Sequence, residues 1–184
     1  MRHILPDVLA PGLGVVFCGT AAGAVSARKG AYYAGPGNRF WHTLHQIGLT
    51  SRCFEPAEFA SVLECGIGLT DMAKTVSGSD RELPRHAFDS AGLERKIRQF
   101  CPRALAFNGK RSASEFFNRK TVQYGRQDVG IGETVVFVLP STSGAARKFW
   151  DATFWFEVAR FVQSKGVRCQ VSGAGVPTSS TPDT

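Results

Sequence analysis

The chain has 184 residues, of which 43% are hydrophobic and 11% aromatic, with 14 Phe; this excludes a wholly disordered chain and fits one domain with a sizeable buried core. No stretch approaches the ~18 consecutive apolar residues of a spanning helix, and Met1-Arg2-His3-Ile4-Leu5-Pro6-Asp7 has no apolar run of secretory-signal length. The 22 Lys and Arg outnumber the 15 Asp and Glu, for a net charge of +7 and a pI near 9.5, which favours a polyanionic partner, nucleic acid first.

Val15-Val16-Phe17-Cys18-Gly19 is a short apolar run ended by Gly and predicts a parallel strand buried on both faces. Phe40, Trp41, Leu44, Ile47 and Leu49 recur at helical spacing after Pro36-Gly37-Asn38. Pro56 opens a second helix running to about Glu64. Gly66-Ile67-Gly68-Leu69-Thr70 is a second strand, weakened by its glycines. Leu93, Ile97 and Phe100 mark a helix that Pro102 stops, and Ala104-Leu105-Ala106-Phe107 is a third strand ended by Asn108-Gly109. A short helix over 112–118 follows. Val135-Val136-Phe137-Val138-Leu139 is the last strand, and Phe149 to about Gln163 is a long helix with Trp150, Phe154, Val158 and Phe161 in one stripe. Alternating strands and helices predict a three-layer αβα sandwich around a short, mainly parallel sheet. In such folds the working crevice lies beyond the carboxyl ends of the strands. The domain is expected over residues 1–169. The Gly-, Ser-, Thr- and Pro-rich stretch 170–184 is expected to be a flexible, non-catalytic tail.

The five cysteines, Cys18, Cys53, Cys65, Cys101 and Cys169, are odd in number and lack zinc or iron–sulfur spacing. They predict a reducing, cytoplasmic setting with no disulfide framework and no metal, and Cys18 and Cys65 as small buried side chains. His42 and His45 are three apart rather than the four a metal pair prefers, so they read as ordinary helix residues. Arg95, Lys96, Arg98, Arg103, Lys110 and Arg111 form a basic run that reads as a solvated face before a phosphate track.

Three loops carry chemistry. Gly19 to Gly30 is rich in small residues whose backbone N–H groups suit an anion or a carbonyl oxygen, although it lacks both GxGxxG order and a P-loop Lys. Tyr32-Tyr33 lies between glycine-rich turns, where an aromatic ring can stack on a planar base. Asn38 is placed either as a helix cap or as a polar group at the crevice. Leu139 to Lys148 combines hydroxyls, Gly144 and two cations, a set that suits either a phosphate backbone or a capped helix start. Asn108 is either a turn former or a base contact, and Lys110 either solvated or a phosphate contact.

Together these segments resemble the mismatch-specific uracil/thymine-DNA glycosylases of the uracil-DNA glycosylase superfamily. The resemblance runs from about Leu9 to Phe161. Leu9-Ala10-Pro11-Gly12-Leu13 and Val15 to Gly19 look like bacterial members. Lys29-Gly30, Tyr32-Tyr33, Gly35-Pro36-Gly37-Asn38 and Phe40-Trp41 look like vertebrate-type members. Gly68-Leu69-Thr70-Asp71-Met72, Ala104 to Lys110 and Val138 to Gly144 match further signature regions in order.

The resemblance implies a monofunctional glycosylase without metal or cofactor. It would flip uracil out of DNA and hydrolyse the N-glycosidic bond, leaving an abasic site. The expected partner is DNA containing uracil or abasic sites; no membrane is involved, and the protein is expected to be a monomer. Backbone N–H groups of Thr20 and Ala21 are expected to stabilise the departing base, with Tyr33, Ala22, Asp71 and Asn108 holding it. Ser141, Ser143, Gly144, Ala145, Arg147 and Lys110 are expected to meet the DNA. One departure is Ala21, where the family usually carries an Asn that positions the attacking water. Asn38 is the preferred substitute and Asp71 the second, a carboxylate that could activate water or accept the base N3–H. The alternative is a slow or inactive binder of uracil-containing or abasic DNA. A second departure is the small Ala145 in the wedge loop, with Arg147 the candidate for the missing bulk. A small nucleotide-binding protein with no DNA role is a third class, predicting binding insensitive to salt.

Overall fold

The computed structural model describes residues 3–164, so the expected tail and Cys169 lie outside the described residues. Strands β1 (Val15–Ala22), β2 (Ile67–Ser77), β3 (Ala104–Asn108), β4 (Gly125–Arg126) and β5 (Val135–Leu139) form one sheet in the order β2-β1-β3-β5-β4. All neighbours are parallel except β4, which runs antiparallel to β5. Helices α1 (Ala24–Lys29), α2 (Phe40–Gln46), α3 (Ser90–Phe100), α4 (Lys110–Phe117) and α5 (Thr153–Gln163) complete the fold, with 3₁₀ helices at Pro56–Cys65, Arg85–Ala87 and Gly144–Phe149. The expected αβα sandwich is therefore observed.

The alternation within the apolar runs builds the two layers. Val15 and Phe17 of β1, Ala104 and Ala106 of β3, and Phe137 and Leu139 of β5 pack on one face with Phe40, Leu44 and Trp155. Val16, Cys18, Leu105, Phe107, Val136 and Val138 pack on the other with Leu93, Ile97 and Ala113. A strand buried on both faces has no polar positions to alternate, which is why these runs were continuous. Trp155 stacks on Phe17 at 5.4 Å and donates its indole N–H to the Pro140 carbonyl (3.0 Å). Residues 4–8 lie as a strap along β2: the Ile4 N–H donates to the Lys74 carbonyl (2.8 Å), and Val8 exchanges two hydrogen bonds with Leu69.

Several boundaries differ from the sequence expectation. β1 continues through Gly19-Thr20-Ala21-Ala22 rather than turning into a loop at Gly19, and β2 runs to Ser77. Small residues fit a strand whose edge faces a cleft, and composition alone cannot separate that from a loop. α1 was hidden in the same small-residue stretch. The helix from Pro56 is 3₁₀, held by a capping box between Glu55 and Glu58. The last helix starts at Thr153, not Phe149, because the Asp151 side chain accepts the Thr153 N–H (2.9 Å). Its buried stripe is Trp155, Val158, Ala159 and Val162, with Trp150 outside the helix. Cys18 and Cys65 are buried as expected. Among the described residues no helix is long and apolar enough to cross a membrane, and no group of three or more metal-ligating side chains converges.

Candidate active site

The chain passes from β1 to β2 on one side and returns to β3 on the other, so the loops leaving β1 and β3 diverge. A cleft of about 880 Å³ opens there. β1 pairs with β3 only as far as Cys18, whereas its pairing with β2 continues to Ala22. In a parallel ladder successive residues turn their N–H and C=O groups to opposite sides. Alternate residues of Gly19–Ala22 thus present backbone groups where pairing with β3 has ceased, and all four line the cleft.

Asp71 lies opposite Gly19 on β2 and is only 6% exposed. A Cβ on Gly19 would overlap Oδ1 of Asp71 and stand 3.4 Å from the Tyr33 hydroxyl, so both polar groups converge over this glycine. Burial pushes the Asp71 carboxyl up to about 7; Lys74 and Lys96 oppose the shift and Asp7 adds to it. Burial, reinforced by Asp71, holds the Tyr32 and Tyr33 hydroxyls well above the usual phenol range, so both remain proton donors.

Tyr33 has φ +55°, a conformation rare for an aromatic residue. Its ring stacks on Phe40 at 3.8 Å and 22°. Its buried hydroxyl makes no hydrogen bond of ordinary length and angle, although the Asn108 amide comes close enough to favour its ionised form slightly. Such a group costs about 1–3 kcal/mol, and a ligand carbonyl would relieve that cost. Tyr32, in contrast, is satisfied: its hydroxyl donates to the Pro6 carbonyl (3.0 Å) and accepts from Lys74 Nζ (3.0 Å).

Asn38 lies one residue before Arg39, the N-cap of α2, and not at the cap itself. Its Oδ1 accepts the Phe40 N–H (3.0 Å) at the start of α2, and the half-buried residue lines the cleft. Asn108 also lines the cleft, but both ends of its amide hold Thr142: Nδ2 donates to Thr142 Oγ1 (2.9 Å), and Oδ1 accepts the Thr142 N–H (3.0 Å). The Thr142 carbonyl in turn accepts the Arg39 N–H (3.0 Å). Thr142, 1% exposed, therefore ties the β5 loop to both β3 and α2, a role that sequence reading missed because nothing separates it from the neighbouring Ser141 and Ser143. Gly144 completes this wall, since a Cβ there would stand 3.2 Å from the Pro36 carbonyl oxygen.

Ser141, Ser143, Gly144 and Ala145 line the cleft as the sequence suggested. Arg147 and Lys110 do not. The Arg147 guanidinium packs against Gly37, and Lys110 Nζ sits 4.3 Å from the centre of the Tyr124 ring. Phe149, which the sequence placed at the start of the last helix, instead ends the 3₁₀ turn Gly144–Phe149 and lines the cleft with 66% of its surface exposed. The basic run is largely engaged within the protein. Lys96 pairs with Asp7, Arg98 with Glu94 and Arg111 with Glu115, while Arg103 donates to the carbonyls of Phe161 and Val162. The α2 histidines lie on its exposed side, where His45 Nδ1 meets the Thr50 carbonyl (3.2 Å).

Residues 6–161 match the sequence model of the uracil DNA glycosylase superfamily. A solution NMR structure of a protein from Methanosarcina acetivorans, described as a candidate uracil DNA glycosylase, is similar to this chain at 28% identity and a TM-score of 0.61. The match covers 88% of this chain and 97% of that one.

Proposed function

The chain belongs to the uracil DNA glycosylase superfamily, and on that premise we propose that it is a monofunctional uracil-DNA glycosylase whose cleft receives a flipped deoxyuridine. The observation carrying this reading is the convergence of the Asp71 carboxyl and the Tyr33 hydroxyl over Gly19, at the floor of a cleft large enough for a nucleoside.

The N1–C1′ bond breaks with its electron pair leaving on the base, while water adds to C1′ and releases a proton. The base carbonyls gain negative charge. A neutral carboxylic acid and a phenol are donors suited to them, and backbone N–H groups on the open edge of β1 add to both. A carboxylate at Asp71 would repel the departing anion. The active form is therefore the protonated acid, which burial favours. Asp71 lies deep, suited to the base; Asn38 is less buried and at the wall, suited to orienting water at C1′. Tyr33, its ring braced by Phe40, reaches the base edge through its hydroxyl, a contact that takes the place of the face-to-face stack the sequence suggested. Asn108 positions the Ser141–Gly144 loop through Thr142. Phe149, flanked by Lys148 and Arg147, supplies bulk against the duplex where Ala145 offers little.

Ala21 favours a second reading, a binder of uracil-containing or abasic DNA, because a methyl group holds no water. Protein in excess over end-labelled duplex carrying one uracil separates the two. Uracil release with an alkali-labile abasic site marks the enzyme. A retained shifted complex with intact glycosidic bonds marks the binder.

A further inference from the structure

Tyr33 keeps a positive φ where no helix end calls for one. Among the described residues other than glycine, Tyr33, Cys101 and Asn118 have φ in the left-handed region, at +55°, +45° and +49°. Cys101 and Asn118 cap the C-termini of α3 and α4, where that conformation ends a helix in the ordinary way. Tyr33 ends no helix, because α1 is already closed by Gly30 and α2 starts at Phe40. In an L-residue this conformation crowds Cβ against the following carbonyl oxygen, and it persists only where the surroundings over-determine it.

The surroundings do so on both sides of the residue. Two peptide groups flank the Tyr33 Cα: one carries the Tyr32 carbonyl, the other the Ala34 N–H. The Trp41 indole N–H donates to the Tyr32 carbonyl (3.1 Å), and the Ser26 hydroxyl oxygen accepts the Ala34 N–H (3.0 Å), both in buried bonds. Because peptide groups are planar, fixing these two fixes the rotations on either side of the Cα. Each anchor is itself held. Trp41 meets Phe40 edge-on at 5.1 Å, and Phe40 is the ring on which Tyr33 stacks. The Ser26 carbonyl accepts the Ala31 N–H (3.1 Å), so α1 grips this segment twice. The Tyr32 side chain is tied to the strap through Lys74, whose Nζ donates to its hydroxyl and lies 2.8 Å from Asp7 Oδ1. A buried indole N–H needs an acceptor, and many would serve. Here it and the Ser26 oxygen fall on the two peptide groups that flank one strained residue.

We propose that Ser26 and Trp41 are positioning residues that together hold the Tyr33 backbone in its left-handed conformation and so keep the Tyr33 hydroxyl over Gly19, beside Asp71. The effect on activity rests on the donor role proposed for that hydroxyl; the hold on the backbone does not.

The test uses Ser26→Ala and Trp41→Phe in the full chain, each with and without Tyr33→Phe. Backbone chemical shifts of Tyr33 report its conformation, and single-turnover uracil release from duplex DNA reports the consequence. Each single variant is expected to move the Tyr33 shifts out of the left-handed range and to slow release about three- to tenfold, the worth of one hydrogen bond. In the Tyr33→Phe background, where the hydroxyl is already gone, the same substitutions should change the rate less than about twofold. A general loosening of the core would slow both backgrounds alike, as would a direct contact between the base and Ser26, which also lines the cleft. Alanine is favourable in a helix, so Ser26→Ala decides the matter even if Trp41→Phe fails to fold. Wild-type Tyr33 shifts in either folded variant overturn the proposal, and so does a rate loss that persists undiminished beside Tyr33→Phe. Displaced shifts with an unchanged rate uphold the hold on the backbone and refute the donor role of the hydroxyl.

Discussion

Gly19 and Asp71 face each other across β1 and β2, and the Asp71 carboxylate oxygen occupies the space that any side chain on Gly19 would need. The floor of the cleft is thus built from an absence on one strand and an acid on the next. Gly19 has no positive φ, so its role is spatial rather than conformational.

Replacing Gly in a strand with Ala ordinarily stabilises by about 0.4–1 kcal/mol through the unfolded chain. Gly19→Ala should do the reverse, costing about 1–3 kcal/mol by forcing Asp71 aside. In an Asp71→Ala background the penalty should vanish. Urea denaturation of the two single variants and the double variant measures the coupling; additive effects would remove Asp71 from its place over Gly19.

Asp71 should lower stability in a pH-dependent way. Its folded carboxyl titrates near 7, far above an unfolded aspartate. Between the ordinary carboxylate range and about 7 the folded protein holds a proton that the unfolded chain has released. Stability therefore falls as pH rises through that window, and above it the whole penalty stands. Asp71→Asn should accordingly stabilise the protein at pH 8 by up to about 4 kcal/mol, a gain that shrinks toward pH 4. Thermal unfolding of both proteins across pH checks this; a pH-independent difference contradicts it.

The Tyr33 hydroxyl makes no hydrogen bond of ordinary geometry in the free protein, with only the Asn108 amide nearby, so Tyr33→Phe should leave stability unchanged or raise it by about 1 kcal/mol. Uracil release should nonetheless slow about tenfold, because a donor to the leaving base is lost. Tyr33→Ala should weaken both, since it also removes the stack on Phe40. Equal rates for wild type and Tyr33→Phe would exclude the hydroxyl from the reaction.

Much of this architecture was legible in the amino-acid order. Doubly buried parallel strands leave uninterrupted apolar runs, and Pro102, Asn108-Gly109 and Pro140 mark where they stop. The same reading failed where small residues dominate: Gly19 to Lys29 encodes the end of β1 and all of α1, yet Ala, Gly and Ser fit strand, loop and helix equally. Two-residue β4 is too short to leave a pattern. Most suggested site residues do line one cleft, because the loops after β1, β3 and β5 must converge in this topology. Thr142 and the Asp7–Lys74 pair escaped notice because their importance lies in partners far away in sequence.

Contacts with duplex DNA should separate by chemistry. Arg147→Ala and Lys148→Ala should each reduce the salt dependence of DNA binding by about one released counterion. Phe149→Ala should leave that slope unchanged and weaken binding to uracil-containing duplex at every salt concentration. Titrations of labelled duplex at several salt concentrations give both quantities, and an unaltered slope in both cation variants would move the DNA away from this loop.

The most direct test is the single-turnover rate of uracil release from duplex DNA for wild type, Asn38→Ala and Asp71→Ala, with folding checked in parallel. Asn38→Ala should lose about 1 kcal/mol of stability through its hydrogen bond to Phe40, and remain folded. Each variant should release uracil at least about 100-fold more slowly than wild type. Wild-type rates in both would contradict the account.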